Sequence, residues 1–593
     1  MILGKHINRY YLRFGFWLLL GLASLVLVDI LQLEIPRFYR MVIDGMTYGT
    51  VDMGGYTATF DLDFLLSEIC MKLIVVIIFM VLGRFLWRIC FFGSAMRLEE
   101  DLRNRMFSHA NRLSREYYQV NKVGDLMSLF TNDLDTVQEC FGWGVMMFLD
   151  AILMGALAIW DMWQMDHLLT VLSLIPMGLL LACSTIVGKR MAEKWDIRQE
   201  AYAKLSDFSQ ESFSGIAVIK AFVREAGELL TFKKLNVENE ESNVAHTKLS
   251  VLFRVLVTLF VESVTCIILG YGGYLVHEDV FTSGQLMEFI GYFTAIIWPI
   301  MAISELIDMT SRGRASLDRI SQLLEAPVHV QDHPDAVDLQ QVQGKICFRN
   351  LTFRYPDGEF DALKDISFTI EPGEHVGLAG KTGSGKTTLV DLILRTYNVP
   401  DGTLFIDDQD VNRLTIRSLR DGCAYVPQEN FLFSDTIENN ISFGVMRGDT
   451  DKVIHAAKLA DVHSNIAEFQ RGYDTVLGER GVTISGGQKQ RISIARALIK
   501  DAPILILDDA VSAVDTKTET AILQNLRTTR AGKTTILIAH RVSTIESMDK
   551  ILFIDDGQLA AVGTHETLYE TNAAYRRMVD LQRLEEEGGK HNG

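Results

Sequence analysis

Six apolar runs fill most of the first 310 residues, near 14–35, 69–93, 141–162, 168–187, 249–276 and 285–308, and the remainder reads as a soluble α/β domain. Each run is close to the ~20 residues a helix needs to cross the hydrocarbon core of a bilayer. Only "WQMDH" separates the third run from the fourth. The polar stretches between runs differ in charge. "KHINRYYLR" before the first and "RLEEDLRNRMFSHANRLSR" after the second are rich in Arg and Lys, whereas "WQMDH" and "HEDVFTSG" carry neither. The positive-inside rule then places the basic loops and both termini on the cytoplasmic side. The connections at about 94–140 and 188–248 are long, polar and rich in helix formers, which predicts helices continuing well beyond the bilayer. A buried helical core of a soluble protein does not account for six such segments with alternating loop charge.

Composition adds exclusions. At 593 residues the chain is too long for one ordinary domain. A formal charge of −18 argues against a nucleic-acid partner, because phosphate binding requires clustered Lys and Arg. Seven scattered cysteines with no CxxC pair indicate neither a zinc site nor a disulfide framework. "MILGKHINRYYLRFG" leads into an apolar stretch too long for the core of a cleavable signal.

The chemistry lies in the second half. "GKTGSGKTT", Gly380, Lys381, Thr382, Gly383, Ser384, Gly385, Lys386, Thr387 and Thr388, fits GxxxxGK[ST] between strand-like "HVGLA" and helix-like "LVDLILRTY". Its glycines let backbone N–H groups turn toward phosphates, Lys386 supplies charge to the β- and γ-phosphates of ATP, and the Thr387 hydroxyl is a magnesium ligand. A glycine-rich turn with no ligand is the plainer alternative. The downstream run "ILILDD" argues against that alternative, since Asp508 is placed to hold the magnesium (Mg2+) through water. Between them "ISGGQKQR" puts Ser485, Gly486 and Gly487 at the opening of a helix, whose free N–H groups suit an anion.

With these motifs in order, the chain resembles an ATP-binding-cassette (ABC) exporter half-transporter over nearly its whole length. The resemblance implies a multidomain fold: an all-α transmembrane domain of six helices over 1–324, a linker over 325–344, an α/β P-loop nucleotide-binding domain over 345–585 and a disordered tail over 586–593. A helical subdomain is expected around 425–500. Tyr355 in "FRYPDG" matches the aromatic that stacks on adenine, and Gln428 in "YVPQENFLF" the glutamine that ligates metal and senses the membrane domain. Ser485 to Gln488 match the signature, Ser512 to Asp515 the D-loop, and His540 in "IAHR" the histidine that contacts the γ-phosphate. "TVLGERG" matches the exporter loop that contacts intracellular helices. Taken singly, Tyr355, Gln428 and His540 would read as ordinary structural or surface residues. "YYQVNKVGDLMSLFTNDLDTVQ" and "ESFSGIAVIKAFVREAGE" resemble the two intracellular loops, with coupling helices near 114–122 and 212–221 that dock on nucleotide domains.

One position departs from the family. The residue after the magnesium aspartate is usually glutamate, which polarises the attacking water; here it is Asp509. Loss of one methylene leaves the carboxylate about 1.5 Å short by ordinary carbon–carbon geometry, and misplacement on that scale costs about 10²-fold. The signature keeps its serine and glycines, and only Ile484 replaces a leucine. A weak base beside a sound signature predicts a heterodimer, in which a second half-transporter brings the glutamate and this chain completes the competent site. A slow homodimer in which Asp509 suffices, or a substitution without meaning, are the alternatives.

Several ionisable residues fall within the predicted spans, among them Asp29, Glu34, Arg84, Arg88, Asp150, Arg254, Glu262, Glu288, Glu305 and Asp308. Charges at membrane depth face a bundle interior or cavity. Asp29, Glu262 and Glu305 with Trp298 suggest a cavity for amphipathic cations; internal salt bridges explain them equally. The expected activity is ATP-driven export of amphipathic small molecules from a bacterial cytoplasmic membrane. A lipid or peptide exporter is the rival, and a nucleotide-gated regulator that uses binding without turnover the more distant one.

Overall fold

A computed structural model describes residues 4–52, 57–445, 449–478, 481 and 484–591, with the side chains of 304 and 585–591 excepted. The chain divides into two compact units, Met1–Asn111 with Gly124–Glu325, and Arg112–Val123 with Ala326–Gly593.

The first unit contains six helices long and apolar enough to cross a membrane: Gly15–Tyr48, Leu62–Ala110, Val123–Met165, His167–Ser214, Glu225–His277 and Ser283–Glu325. At 1.5 Å per residue the 48-residue fourth helix reaches about 72 Å, more than twice the ~30 Å hydrocarbon core, so the expected overhang is present. The narrow break between the third and fourth spans is one residue wide. Asp166 is extended (φ −156°, ψ 124°), and its Oδ1 accepts the Leu169 N–H at 2.6 Å, capping the new helix. Gly49 (φ 68°) ends the first span in the left-handed conformation open to glycine, and an antiparallel pair of Thr50–Asp52 with Thr57–Thr59 follows. The second span is apolar outward, with Ile74, Val75, Ile78, Val81 and Phe85 exposed, as a surface facing lipid requires. Leu33, Met154, Phe289, Tyr292 and Phe293 form the interior between spans.

The second unit has two sheets. A small antiparallel sheet is built on Ile346–Arg354 and Asp361–Ile370. The larger has the order Gln558–Gly563, Lys550–Asp555, His375–Ala379, Thr534–Ile538, Ile504–Asp508, Cys423–Val426, and all but the first of these run parallel. Its three central strands are buried along their whole length, which is why "ILILD" and "TTILI" carry no polar alternation. Each buried Leu or Ile there contributes about 1.5–3 kcal/mol by leaving water. The helices Ile437–Ser442, Thr450–Leu459, His463–Ala467 and Gly486–Leu498 form the expected helical insertion.

Residues Arg112–Val123, which include the stretch expected to dock on a nucleotide domain, pack within the second unit. The reason is chemical: Arg115 Nη1 donates to Asp391 at 2.9 Å, and the Tyr397 hydroxyl donates to Gln119 Oε1 at 2.9 Å. The expected disordered tail is instead helical as far as His591, continuing the helix that starts at Ala573.

Candidate functional site

The parallel sheet brings the motifs together by one rule: loops at the carboxyl ends of its strands share an edge. His375–Ala379 leads into Gly380–Thr388, and Ile504–Asp508 ends on Asp508. Thr534–Ile538 leads to His540, and Cys423–Val426 leads to Gln428. Four segments distant in sequence thus meet at one edge.

The phosphate loop is left-handed or near it at three glycines: Gly380 (φ 151°), Gly383 (φ 82°) and Gly385 (φ 101°). A Cβ at Gly380 would lie 2.2 Å from the Ile554 carbonyl oxygen, and one at Gly385 would lie 2.7 Å from Leu363 Cδ2, so both need glycine for space as well. The helix Lys386–Ile393 starts here with Gly385 as its cap and no capping side chain, leaving its first N–H groups free for an anion. Lys386 is buried, and its Nζ donates to the carbonyl oxygens of Gly380 at 2.8 Å and Lys381 at 2.7 Å. Burial pulls its ammonium below the ordinary range, opposed by Asp508 and Asp509. Burial raises the Asp508 carboxyl; the Thr387 hydroxyl bonded to it lowers it, Asp509 raises it, and Lys386 and His540 lower it. Ser384 Oγ and Asp508 Oδ2 are buried without hydrogen-bond partners among the described residues. These orphaned oxygens, beside Thr387 and a free helix end, fit a phosphate chain and its magnesium.

Tyr355 lies against the same helix. Its hydroxyl pairs with Thr388 Oγ1 at 2.9 Å, and its ring meets Tyr397 edge-on at 5.2 Å. Gln428 and His540 are exposed at the edge, and no described hydrogen bond links either side chain to Thr387 or Asp508. Ser485 and Gln488 close a capping box on Gly486–Leu498. Gly486 faces open space, and no described hydrogen bond links Ser485, Gly486, Gly487 or Gln488 to Gly380–Thr388. Glu479 and Arg480 of "TVLGERG" lie outside the described residues.

Asp509 is half-buried and left-handed (φ 51°), a conformation Asp tolerates better than most side chains. Its N–H donates to the Ile538 carbonyl at 2.9 Å. Two residues that sequence reading missed hold this edge. Gln490, 2 % exposed, donates from Nε2 to the Asp509 carbonyl and accepts the Ala513 N–H at Oε1, both at 2.9 Å. Gln582 of the last helix donates to the His540 carbonyl at 2.7 Å and accepts the Val542 N–H at 2.8 Å. The only sequence signal for Gln490 is a polar residue on the buried side of an amphipathic helix.

In the membrane unit a cleft of about 1200 Å³ opens between the third, fourth and sixth spans. Phe148, Ile152, Met177, Leu181, Pro299 and Ile303 are among its walls, with Arg314 and Asp318 at one end. The expected cation cavity is not drawn this way. Asp29, Glu262, Glu305 and Trp298 do not line the cleft; Glu262 and Glu305 are on exposed faces, as is Arg254. Several other charges are paired internally: Glu34 with Arg37 at 2.5 Å, Glu288 with Arg40 at 3.2 Å, and Asp308 with Arg312 at 3.0 Å. Arg88 lies over the Trp87 ring at 5.4 Å.

A six-helix membrane unit followed by a phosphate-loop unit with this edge defines an ATP-binding exporter, and the comparisons agree. Residues 18–300 match the family ABC transporter transmembrane region and residues 363–512 the family ABC transporter. The chain belongs to the ABC transporter family, in which such a domain uses ATP with magnesium. It is 36% identical over 599 residues to the probable multidrug resistance ABC transporter ATP-binding/permease protein YheI of Bacillus subtilis, covering 99% of this chain and 98% of that one. It is 36% identical to the multidrug resistance-like ATP-binding protein MdlA of Escherichia coli, over 95% and 94% of the two chains. A solved structure of a bacterial Atm1-family ABC exporter with ATP bound superposes with a TM-score of 0.76 at 26% identity, covering 97% of this chain and 98% of that one.

Proposed function

We propose that this chain is one half of a heterodimeric, ATP-driven exporter of amphipathic, drug-like compounds in a bacterial cytoplasmic membrane, with the nucleotide unit and both termini cytoplasmic. The observation that carries the heterodimer is Asp509: a short carboxylate where reach decides, next to a signature helix whose cap, Ser485 with Gln488, is intact. Export of drug-like compounds is supported by what the relatives are called and by the apolar cleft.

In this reading Lys386 and the N–H groups of Gly380–Thr388 bind the phosphates, and Tyr355 offers its ring to the adenine. Thr387, Asp508 and Gln428 would hold magnesium, which when bound offsets phosphate charge. Asp509 and His540 face the terminal phosphate, with Asp509 too short to orient water well. Ser485, Gly486, Gly487 and Gln488 complete the partner's site, in keeping with the lack of any described hydrogen bond from them to this chain's own phosphate loop. A second chain is also supported by an uncovered apolar tip. The short helix Ile216–Ala221 has no buried residue, and Phe213, Phe222 and Val223 around it are 75%, 73% and 80% exposed. In the assembly this tip docks on the partner's nucleotide unit.

The test is to extract the chain in mild detergent and identify what accompanies it by mass spectrometry. An equimolar second half-transporter with glutamate at the matching position is expected. A lone homodimer with steady ATP turnover would overturn the heterodimer and make Asp509 the working base.

A further inference from the structure

The chain enters its first span through a bend. The short helix Asn8–Arg13 ends at Phe14 (φ −98°, ψ 11°), and the long helix starts at Gly15. Ile7, Tyr10 and Phe14 are buried on the inner side of this corner, whereas Leu12 and Phe16 are 85% and 73% exposed and form an apolar strip facing outward. Basic side chains accompany the strip. Arg13 Nη1 lies 3.7 Å from Asp101 Oδ1, and Arg9 Nη2 lies 4.0 Å from Oδ2 of the same carboxylate. Four residues before Asp101 on the second span, Arg97 lies over the ring of Trp17, its guanidinium carbon 5.8 Å from the ring centre. Trp17 in turn follows Arg13 by four residues. Two crossed contacts, Arg13 to Asp101 and Arg97 to Trp17, therefore bring these arginines to one corner.

Charge there is unbalanced. Arg9 and Arg13 share Asp101, and Arg97 has no carboxylate partner among the described residues. The nearby Glu99 is taken by Arg103 at 2.5 Å. Three guanidinium groups thus face one acid, and all three are exposed. Depth gives the imbalance a meaning. Trp17 lies at the start of the first apolar run, and Arg97 lies four residues past the end of the second, about 6 Å beyond it at 1.5 Å per residue. That is headgroup level, where tryptophan is enriched. Cation–π attraction holds the Arg97 guanidinium at the ring, and no described hydrogen bond uses its N–H fork. Such a fork matches two oxygens of a phosphate.

We propose that this corner binds an anionic phospholipid in the leaflet that holds the N-terminal end of the chain, with Arg13 and Arg97 on the headgroup phosphate and an acyl chain along Leu12 and Phe16. The apolar strip is what selects a lipid over a soluble phosphate, and the surplus of arginines is what selects an anionic headgroup over a zwitterionic one. The inference goes beyond the export reading and requires neither a transported compound nor a partner chain.

The test uses the full-length protein with any chain that accompanies it, stripped of lipid in mild detergent and titrated with phosphatidylglycerol or phosphatidylcholine while native mass spectrometry counts what is retained. Phosphatidylglycerol is expected to bind at least about tenfold more tightly, and to lose that advantage as salt rises. Arg13→Gln and Arg97→Gln are each expected to weaken it about fivefold, the weight of one basic residue beside an anionic headgroup, with phosphatidylcholine unaffected. Arg97→Lys, which keeps the charge, loses less than Arg97→Gln. Lys204→Gln, a cation of the fourth helix paired with Glu200, leaves binding unchanged. Equal retention of the two lipids by the wild-type protein overturns the proposal without any variant. So does an undiminished preference in a folded Arg13→Gln/Arg97→Gln protein with an unchanged melting temperature. Displacement of the lipid by an equal concentration of inorganic phosphate would overturn the lipid as occupant.

Discussion

Two pairs of aspartates divide this molecule's chemistry, and they differ in how they are kept. Asp508 and Asp509 are neighbours in sequence at the end of one strand, with Lys386 and His540 facing them and solvent close by. Asp29 and Asp150 are far apart in sequence, on the first and third spans, and Arg84 is the one cation acting on both among the described residues. The first pair is held by cations, so both members can stay charged when a metal arrives. The second lies within the apolar spans, where one charge is already expensive. The lesson concerns solvent. The same side-chain type serves at an edge near water in one unit and among apolar spans in the other.

The largest effect should come from removing the cation of the first pair. Lys386→Ala is expected to reduce ATP hydrolysis at this chain's phosphate loop more than about 10²-fold, a loss typical of removing one preorganised charge-stabilising group. Radiolabelled phosphate release reads it. Activity surviving within a few-fold would mean that Asp508 and Asp509 are not balanced by this lysine. Next is Asp509→Glu, measured after the partner's glutamate has been replaced by glutamine so that only this site reports. Restoring reach should raise turnover about tenfold to 10²-fold. Glutamate is less at ease than aspartate in the left-handed backbone at 509, so the gain falls short of a full restoration. An unchanged rate would show that length at 509 is not what limits the site. The smallest effect belongs to Gln490. Gln490→Ala leaves the Ala513 N–H without its partner and removes one of the bonds to the Asp509 carbonyl, which keeps that from the Ser512 hydroxyl, and an unpaired buried N–H costs about 1–3 kcal/mol. A lower melting temperature and several-fold slower ATP turnover are expected, and Gln490→Met, which keeps bulk, should not rescue them. Rescue by methionine would make packing, not hydrogen bonding, its contribution.

Legibility followed locality. The six spans, the phosphate loop and the signature are contiguous patterns, and hydropathy or spacing is enough to place them. The break at Asp166 was harder, because one extended residue interrupts an otherwise continuous apolar stretch. Gln490 and Gln582 escaped because their partners are backbone atoms 19 to 42 positions away, and backbone atoms leave no mark in a sequence. Arg115 lies in the stretch expected to dock on a nucleotide domain, but nothing in the sequence names its partner, Asp391, 276 residues on. The tail read as disordered from its charged and glycine-rich composition, yet it continues a helix anchored upstream, where Tyr575 is fully buried. Among the membrane acids, composition flagged Asp29, Glu262 and Glu305 alike; only packing separates the buried one from the two on exposed faces.

The bond from Gln490 reaches the backbone carbonyl of residue 509 and ignores its side chain. Mutation can therefore shorten or lengthen that side chain without loosening the signature helix next door. In the heterodimer proposed above, such an arrangement would let one subunit lose its own turnover while keeping its service to the other.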